Sequence, residues 1–393
     1  MKNEASIHND IFWFTRFDPD GQGGGGGYRR EKQLLHVLSE LHPRIFSSRH
    51  SRFSTGELSI YRQWIWKLHG KFHPFLRYWA DQNTARWSLR MHAAAGDWKR
   101  SFPWKTPPRM AFIDDPLYFS PLVRRLSHAR IPIAAMCQNL ESLGRDQLNP
   151  RFQRRLLNRE LNLLSRCSLL ITISREEQFL LRNLDLPAVY FPYYPVPEEV
   201  GRLTAIRNRR KGKKKSHFLL LGTAGNQSTR NGMLAIIKKW KDTPVESRQG
   251  ERLLVSGYWT RLLGNGIDGD GVDYLGEITD ARLAEILETT RALICFQKHG
   301  GGALTRVADA LLAGVPVLGN DHALRTWYGS PGMRMYSSPD CLVEGAIKLI
   351  SEKELTVPSQ PVRQPDPGPL KECILSILAQ STKGDDPPCS ISV

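Results

Sequence analysis

Short apolar runs alternate with segments of helical periodicity along this chain of 393 residues. The first run, IFWFT (Ile11–Thr15), is too short for a helix and is rich in residues that suit a strand. Leu34, Leu35, Val37, Leu38 and Leu41 then recur at helical spacing. Pro43 stands just past them, where a helix is expected to stop. PRIFSSR (43–49) predicts a second strand. RMAFIDDP (109–116) predicts a strand that ends in two carboxylates, and residues 131–142 a strand running into a polar loop. In SLLITISREEQFLLRNL, residues 169–173 read as a strand and Ser174 as the N-cap of a following helix. Glu177, three residues on, completes an S-x-x-E capping box. AVYFPYYP (188–195) closes this series.

A second series follows the same rhythm. Strands are predicted over 218–221, 252–257, 272–277, 292–297 and 315–320, with helices over 232–240, 281–289 and 303–312. Strands that alternate with helices imply parallel, doubly wound sheets. The length requires more than one ordinary core. The expected division is 1–206 for a first domain, 207–216 for a basic linker and 217–357 for a second domain. Residues 358–393 read as a Pro-rich linker, a last helix over 370–381 and a loose tail. The 207–216 run, RNRRKGKKKS, has no apolar residue and reads as a solvated connection.

Composition narrows the class. Apolar content of 40% and charged content of 24% describe a soluble globular protein. No apolar run approaches the roughly 18 residues that span a bilayer, and MKNEASIHND has no apolar h-region, so a cytoplasmic location is expected. The six cysteines show no CxxC spacing and read as reduced thiols. His69 and His73 are four apart, but Gly70 and Pro74 argue against the helix that would make them ligands, and no metal is expected. The net charge of +16 is lopsided: residues 1–216 hold 37 Lys+Arg and 19 Asp+Glu, residues 217–393 hold 18 and 20. The first half is therefore expected to meet something anionic. Residues 58–104 carry Trp64, Trp66, Trp79, Trp87, Trp98 and Trp104 among many cations. They read as core helices, or as a basic aromatic face toward an anionic membrane or an acceptor. Nucleic acid is not the expected partner.

In open parallel sheets, ligands sit beyond the carboxyl ends of the strands. Gly23 to Gly27 follow the first strand. A run so costly in backbone entropy suits a loop whose main chain comes very close to a ligand. Asp114 and Asp115 follow another strand, and Gln138, Asn139 and Glu141 the next. In the second half, Gly300, Gly301 and Gly302 lead into a helix that presents Leu304, Val307, Ala308, Leu311 and Leu312 to the core. Bare glycines before a helix N-terminus offer free N–H donors and the positive end of a dipole, which suit a pyrophosphate. Lys298 and Arg306 add charge, Thr305 offers a hydroxyl, and Asp309 is placed to accept from ribose hydroxyls. Gly21, Gly23 and Gly26 also match G-x-G-x-x-G. The acid that should end the second strand is absent, however, since PRIFSSR ends in Arg49; a nicotinamide enzyme is disfavoured.

GGGALTRVADALLAGVPVLGN resembles the E-G-F-G…E-A-L-A-x-G-x-P-V region of GT-B glycosyltransferases, especially family 4 (group 1-like). LVSGYW, VDYLGEITDARLAEIL, TRFDPDGQGGGGGYRREKQLL and LLITISREE resemble further segments of that family, in order, over about residues 10–350. The resemblance implies a GT-B fold, with two Rossmann-like domains facing a cleft. It implies transfer of a sugar from a nucleotide-diphosphate donor to a hydroxyl acceptor, in polysaccharide or cell-envelope glycan synthesis, with no cofactor and no metal. The donor would lie mainly on the second domain. A glycan or lipid-linked acceptor would lie on the first, at the inner face of the plasma membrane. Carried across, Gly25, Gly26, Gly27 and Gly222 belong to close-approach loops, and Gly300 to Gly302 to the diphosphate loop. Asp309 stands at the second Glu of the family's E-x7-E motif, and Gly301 at the first. Arg230 stands near the family's basic Lys-Gly position, which neutralises the leaving diphosphate, and Glu277 and Ile278 lie at the nucleobase. Asp115, Glu141 and His299 are candidates for the general base. The alternative is a non-catalytic GT-B-like protein that binds nucleotide or glycan.

Overall fold

The computed structural model describes residues 11–17, 25–47, 107–143, 149–264, 266–267, 270–352 and 355–381. The Trp-rich stretch 58–104, His69 and His73, Gly21 to Gly24, Arg49 and the tail from 382 lie outside the described residues.

The first sheet holds β1 (Ile11–Thr15), β2 (Arg44–Ser47), β3 (Met110–Ile113), β4 (Ile133–Cys137), β5 (Leu169–Thr172) and β6 (Ala188–Tyr190). Its order is β2-β1-β3-β4-β5-β6, parallel throughout. Side chains alternate across a strand: Phe12 and Phe14 enter one buried cluster with Ile113 and Leu126, while Ile11 and Trp13 enter another with Met110 and Phe112. Both faces are covered, which is why these strands are written as continuous apolar runs. The cover over the second face includes the Gly368–Gln380 helix, through Leu370, Ile374, Ile377 and Leu378. Arg109 holds it by donating to the Leu378 carbonyl at 2.9 Å. The last helix thus returns to the first sheet.

The second sheet holds β7 (His217–Leu221), β8 (Arg252–Ser256), β9 (Gly266–Ile267), β10 (Val272–Gly276), β11 (Thr290–Cys295), β12 (Val317–Gly319) and β13 (Met333–Met335). Its order is β13-β12-β11-β7-β8-β10-β9, parallel except for the edge strand β9. The edge strands β9 and β13 are two and three residues long, too short to leave a period in the sequence. In each sheet the order reverses beside its first strand, between β1 and β3 and between β7 and β11. Such switch points open crevices at the carboxyl ends of strands.

The basic run 207–216 departs only in part from the expected solvated linker: seven of its ten residues are exposed, but Arg210 and Lys215 are buried. Its first four residues end the Pro197–Arg210 helix, whose Leu203 and Ile206 are buried in the second core. Arg207 donates to the carbonyls of Leu311 and Leu312, the latter at 2.8 Å, and Arg210 to that of Gly314 at 2.9 Å. Lys215 is buried and donates to the Arg210 and Lys213 carbonyls at 2.8 and 2.7 Å. The reason is the Thr305–Leu312 helix, whose last carbonyls have no partners within the helix and attract cations. Part of the first half's positive charge is thus spent inside the fold.

Candidate functional site

The two glycine loops meet. Gly25 is the N-cap of the Gly26–Val37 helix, and Leu304 that of the Thr305–Leu312 helix; neither helix has a side-chain cap. A Cβ added to Gly26 would stand 3.0 Å from Thr305 Oγ1, so the two N-termini face each other across the boundary between the sheets. Gln138, just beyond β4, links them. Its Oε1 would be 2.5 Å from a Cβ on Gly27, and its main-chain oxygen leaves no room for a Cβ on Gly302. Gly302 takes φ +65°, a conformation that L side chains adopt reluctantly. Two positive helix ends held face to face repel one another, and an anion between them relieves that repulsion.

Carboxylates and guanidinium groups of this chain bridge the boundary. Glu177 Oε1 accepts from Leu140 N at 2.9 Å and from Gly302 N at 3.0 Å, and Ser174 Oγ accepts from Glu177 N at 3.1 Å. Ser174 caps the helix as expected, but the capping box is not closed, because the Glu177 carboxylate turns to Leu140 N and to Gly302 N of the other domain. Within the second domain, Arg325 holds this loop by donating to the carbonyls of Gly301 and Gly302, the latter at 2.8 Å. Arg29 pairs with Asp309, which also accepts from Tyr193 Oη at 3.2 Å. Burial pushes the Asp309 carboxyl up to about 6. Beside Asp309, Arg29 is held above the usual guanidinium range.

The remaining predicted residues fall into separate groups. Gly222 is buried at the end of β7, against Thr229 and Met233, and a Cβ there would be 3.8 Å from the Arg306 guanidinium carbon. Arg230 lies half-buried in the first turn of the Gln227–Asp242 helix. Lys298 is exposed. His299 is half-buried, its ring 6.0 Å from that of His322, and its carbonyl accepts from Ser228 Oγ. Glu277 is exposed and accepts from Trp259 N at 3.3 Å, and Ile278 packs against the second core. The structure brings Gly26, Gly27, Gly301, Gly302, Thr305 and Asp309 to the boundary. Of the base candidates, Asp115 and Glu141 line one pocket on the first domain, and His299 stands on the second domain. Sequence reasoning did not single out Arg16, Arg29, Tyr193 or Arg325. A cation or phenol without a local motif carries no signal of a partner far along the chain.

That pocket is lined by Arg16, Asp114, Asp115, Gln138, Glu141 and Glu160, among others. Asp115 is committed: one oxygen pairs with Arg16 at 2.8 Å and the other accepts from Tyr118 N at 3.0 Å. Asp114 is buried at the end of β3, with Oδ2 accepting from Arg16 N at 2.9 Å. Burial raises Asp114 to about 6, and raises Glu31 and Glu160 each to about 7. These groups, with Asp309, hold protons more tightly folded than unfolded. Their contribution to stability is therefore present at low pH and lost as pH rises through the folded values. His217, lowered to about 4 by burial, acts in the opposite direction over this range, and the lowered carboxyls of Glu199 and Glu288 do so at lower pH. Stability should fall between about pH 4 and 7. A tenfold difference in proton affinity between the folded and unfolded chain is worth about 1.4 kcal/mol, so the melting temperature should drop by several degrees. A flat or rising profile in a calorimetric pH series would contradict these burial effects.

Among the described residues no group of three or more His, Cys, Asp or Glu is placed to hold a metal ion, and no helix is long and apolar enough to cross a membrane. No family model and no curated protein matches the sequence. Solved structures do match the fold. HepE of Anabaena, in complex with UDP and glucose, aligns with a TM-score of 0.52 at 12% identity, covering 95% of this chain and 98% of that one. Sucrose-phosphate synthase of Thermosynechococcus elongatus aligns with a TM-score of 0.58 at 14% identity over the same shares. A UDP-forming trehalose-phosphate synthase of Burkholderia vietnamiensis aligns with a TM-score of 0.58 at 9% identity, covering 95% and 96%. The chain has the GT-B fold, two Rossmann-like parallel-sheet domains facing each other.

Proposed function

We propose that this protein is a glycosyltransferase that moves a sugar from a nucleotide-diphosphate donor to a hydroxyl acceptor. The observation that carries the reading is the meeting of two uncapped helix N-termini, one from each domain, at Gly26 and Thr305. A diphosphate supplies the negative charge such a junction favours. Breaking the sugar–phosphate bond adds negative charge to the leaving diphosphate. Donors fixed before the reaction stabilise that charge without reorganising. Main-chain amides of the two glycine loops are one source of such donors, and Arg306 and Arg230 another. The similar structures named above include a protein solved with UDP and glucose, which supports a nucleotide sugar as donor. A glycan or lipid-linked acceptor on the first domain, in envelope or polysaccharide synthesis, is the finer form of the proposal. Peripheral contact with an anionic membrane belongs to it as well.

Titration calorimetry with UDP, GDP and ADP tests it directly. At least one should bind with a dissociation constant between about 1 µM and 1 mM. Absence of binding to all three would overturn the reading. A non-catalytic, nucleotide-binding role is the second reading, because Gly302 N and Asp309 are already engaged by Glu177 and Arg29. Binding without turnover of any UDP-, GDP- or ADP-sugar against glycan and lipid acceptors would favour it.

A further inference from the structure

The helices over one face of the first sheet carry a charge pattern that their packing does not require. Ser120–His128, Pro150–Leu164 and Arg175–Arg182 lie on the same face, since Leu122 and Leu126, Leu163 and Leu164, and Leu181 enter one buried cluster. The first two helices hold Arg124, Arg125, Arg151, Arg154, Arg155 and Arg159, and no lysine. Arg159 is half-buried and the other five are exposed. The single acid of these helices, Glu160, is buried and turned inward, accepting from Glu141 N and Ser142 N at 2.9 and 3.0 Å. Arg124, Arg151, Arg154 and Arg155 have no acidic partner among the described residues. Burial and the neighbouring Arg124 pull Arg159 below the usual guanidinium range, so like charges are held close. Arg151, Arg154 and Arg155 stand at the start of their helix, whose first turn has no acid. Cations at the positive end of a helix dipole cost stability, and an external anion offsets that cost. Residues 48–106 and 144–148, outside the described residues, hold twelve Lys+Arg against four Asp+Glu, so they add cations on balance.

Extent and chemistry select the partner. A helix of 15 residues is about 22 Å long, so this face spans several phosphates and not one. Arginine forks match phosphate oxygens in pairs. Neither arginine-bearing helix exposes a ring on which bases could stack: Phe152 is half-buried, and Ser120–His128 has no aromatic residue. The third helix supplies apolar groups instead. Phe179 is 72% exposed, and Leu180 and Leu184, the latter just past the helix, are exposed as well. The exposed acids there, Glu176 and Asp185, lie in the first turn and beyond the last. Cations next to protruding apolar side chains suit the boundary between head groups and acyl chains.

We propose that the outer face of these three helices docks on an anionic phospholipid bilayer, with the arginines on lipid phosphates and Phe179, Leu180 and Leu184 at the head-group boundary. The membrane contact named above then has a defined surface, on the first domain and away from the glycine loops. It deepens that part of the functional reading, and it stands or falls apart from sugar transfer.

Sedimentation of the full chain with vesicles tests it, using phosphatidylcholine alone and mixed in about equal parts with phosphatidylglycerol. The chain should sediment with the mixed vesicles only, and salt raised from about 0.1 to 0.5 M should release it. The double variant Arg154→Ala, Arg155→Ala should bind about thirtyfold more weakly, each cation near an anionic surface being worth about fivefold. Phe179→Ala should cost about tenfold. Lys238→Ala with Lys348→Ala, two exposed lysines of the second domain, is the control and should change nothing. All these positions are exposed, and a thermal melt will confirm that each variant is folded. No binding, equal binding to both vesicles, an unchanged arginine variant or an equal loss in the lysine control overturns the proposal. Capture by single-stranded DNA or heparin under conditions that leave the mixed vesicles unbound would give the face to an anionic polymer, and overturns it too. Failure of UDP to bind would count against the transferase reading and leave the vesicle result standing.

Discussion

Gly302→Ala should lower nucleotide affinity by about a hundredfold, the effect of misplacing one wall of a site by roughly an ångström, while each sheet stays folded. The added methyl would collide with the main-chain oxygen of Gln138 on the opposite domain. A carbonyl fixed at a strand end has no rotamer with which to move aside. The φ of +65° at this position adds backbone strain. Relief requires the domains to move apart, which breaks the bond from Gly302 N to Glu177. Gly329→Ala is the control. Gly329 also has positive φ, at +78°, but a Cβ there meets nothing within 4 Å, so it should cost about 1 kcal/mol of stability and leave binding intact. Calorimetry with the preferred nucleotide, beside far-ultraviolet dichroism, reads both. Equal affinities for the two variants would show that the contact across the boundary does not shape the site.

Asp309→Ala should destabilise the protein by about 3 kcal/mol, the low end of the range for orphaning one member of a buried pair. The low end applies because the Arg29 side chain keeps 20% of its surface in water. The variant takes from Arg29 and Tyr193 Oη their shared acceptor and leaves Arg29 only the longer pairing with Glu199, at 3.6 Å. Pairing Arg29→Met with Asp309→Leu removes both charges and should restore most of the loss, since apolar groups of similar volume replace such pairs at little cost. Urea unfolding of the two single variants and the double variant measures the coupling. If the double variant is no more stable than Asp309→Ala, the pair does not join the domains. Nucleotide affinity in the same variants separates two roles for Asp309. Full affinity in a refolded double variant would assign it to the domain boundary alone.

The parts of this fold legible in the sequence are those written in short periods. Ile11–Thr15, 169–173 and 292–297 read as strands because both faces of the sheets are covered and every position is apolar or nearly so. Ser174 read as an N-cap because its side chain bonds three residues ahead. The expectation for 207–216 missed the buried Arg210 and Lys215 for a related reason. A run of cations looks solvated when scanned along the chain, whereas the carbonyls that bind Arg207 and Arg210 lie about a hundred residues away.

Local pattern alone determined two doubly wound sheets, the position of the glycine loops at strand ends and the asymmetry of charge. Each depends on periodicity, caps or composition within a few residues. Tertiary structure decided who meets whom. Glu177 reaches Gly302 across 125 positions, and Arg29 reaches Asp309 across 280. The match is set by how the two domains close, a geometry with no period of its own. Asp114 shows the same division. Its place at the end of β3 could be read from RMAFIDDP, but the burial that leaves one carboxylate oxygen without a donor exists only once β1, β3 and β4 are side by side.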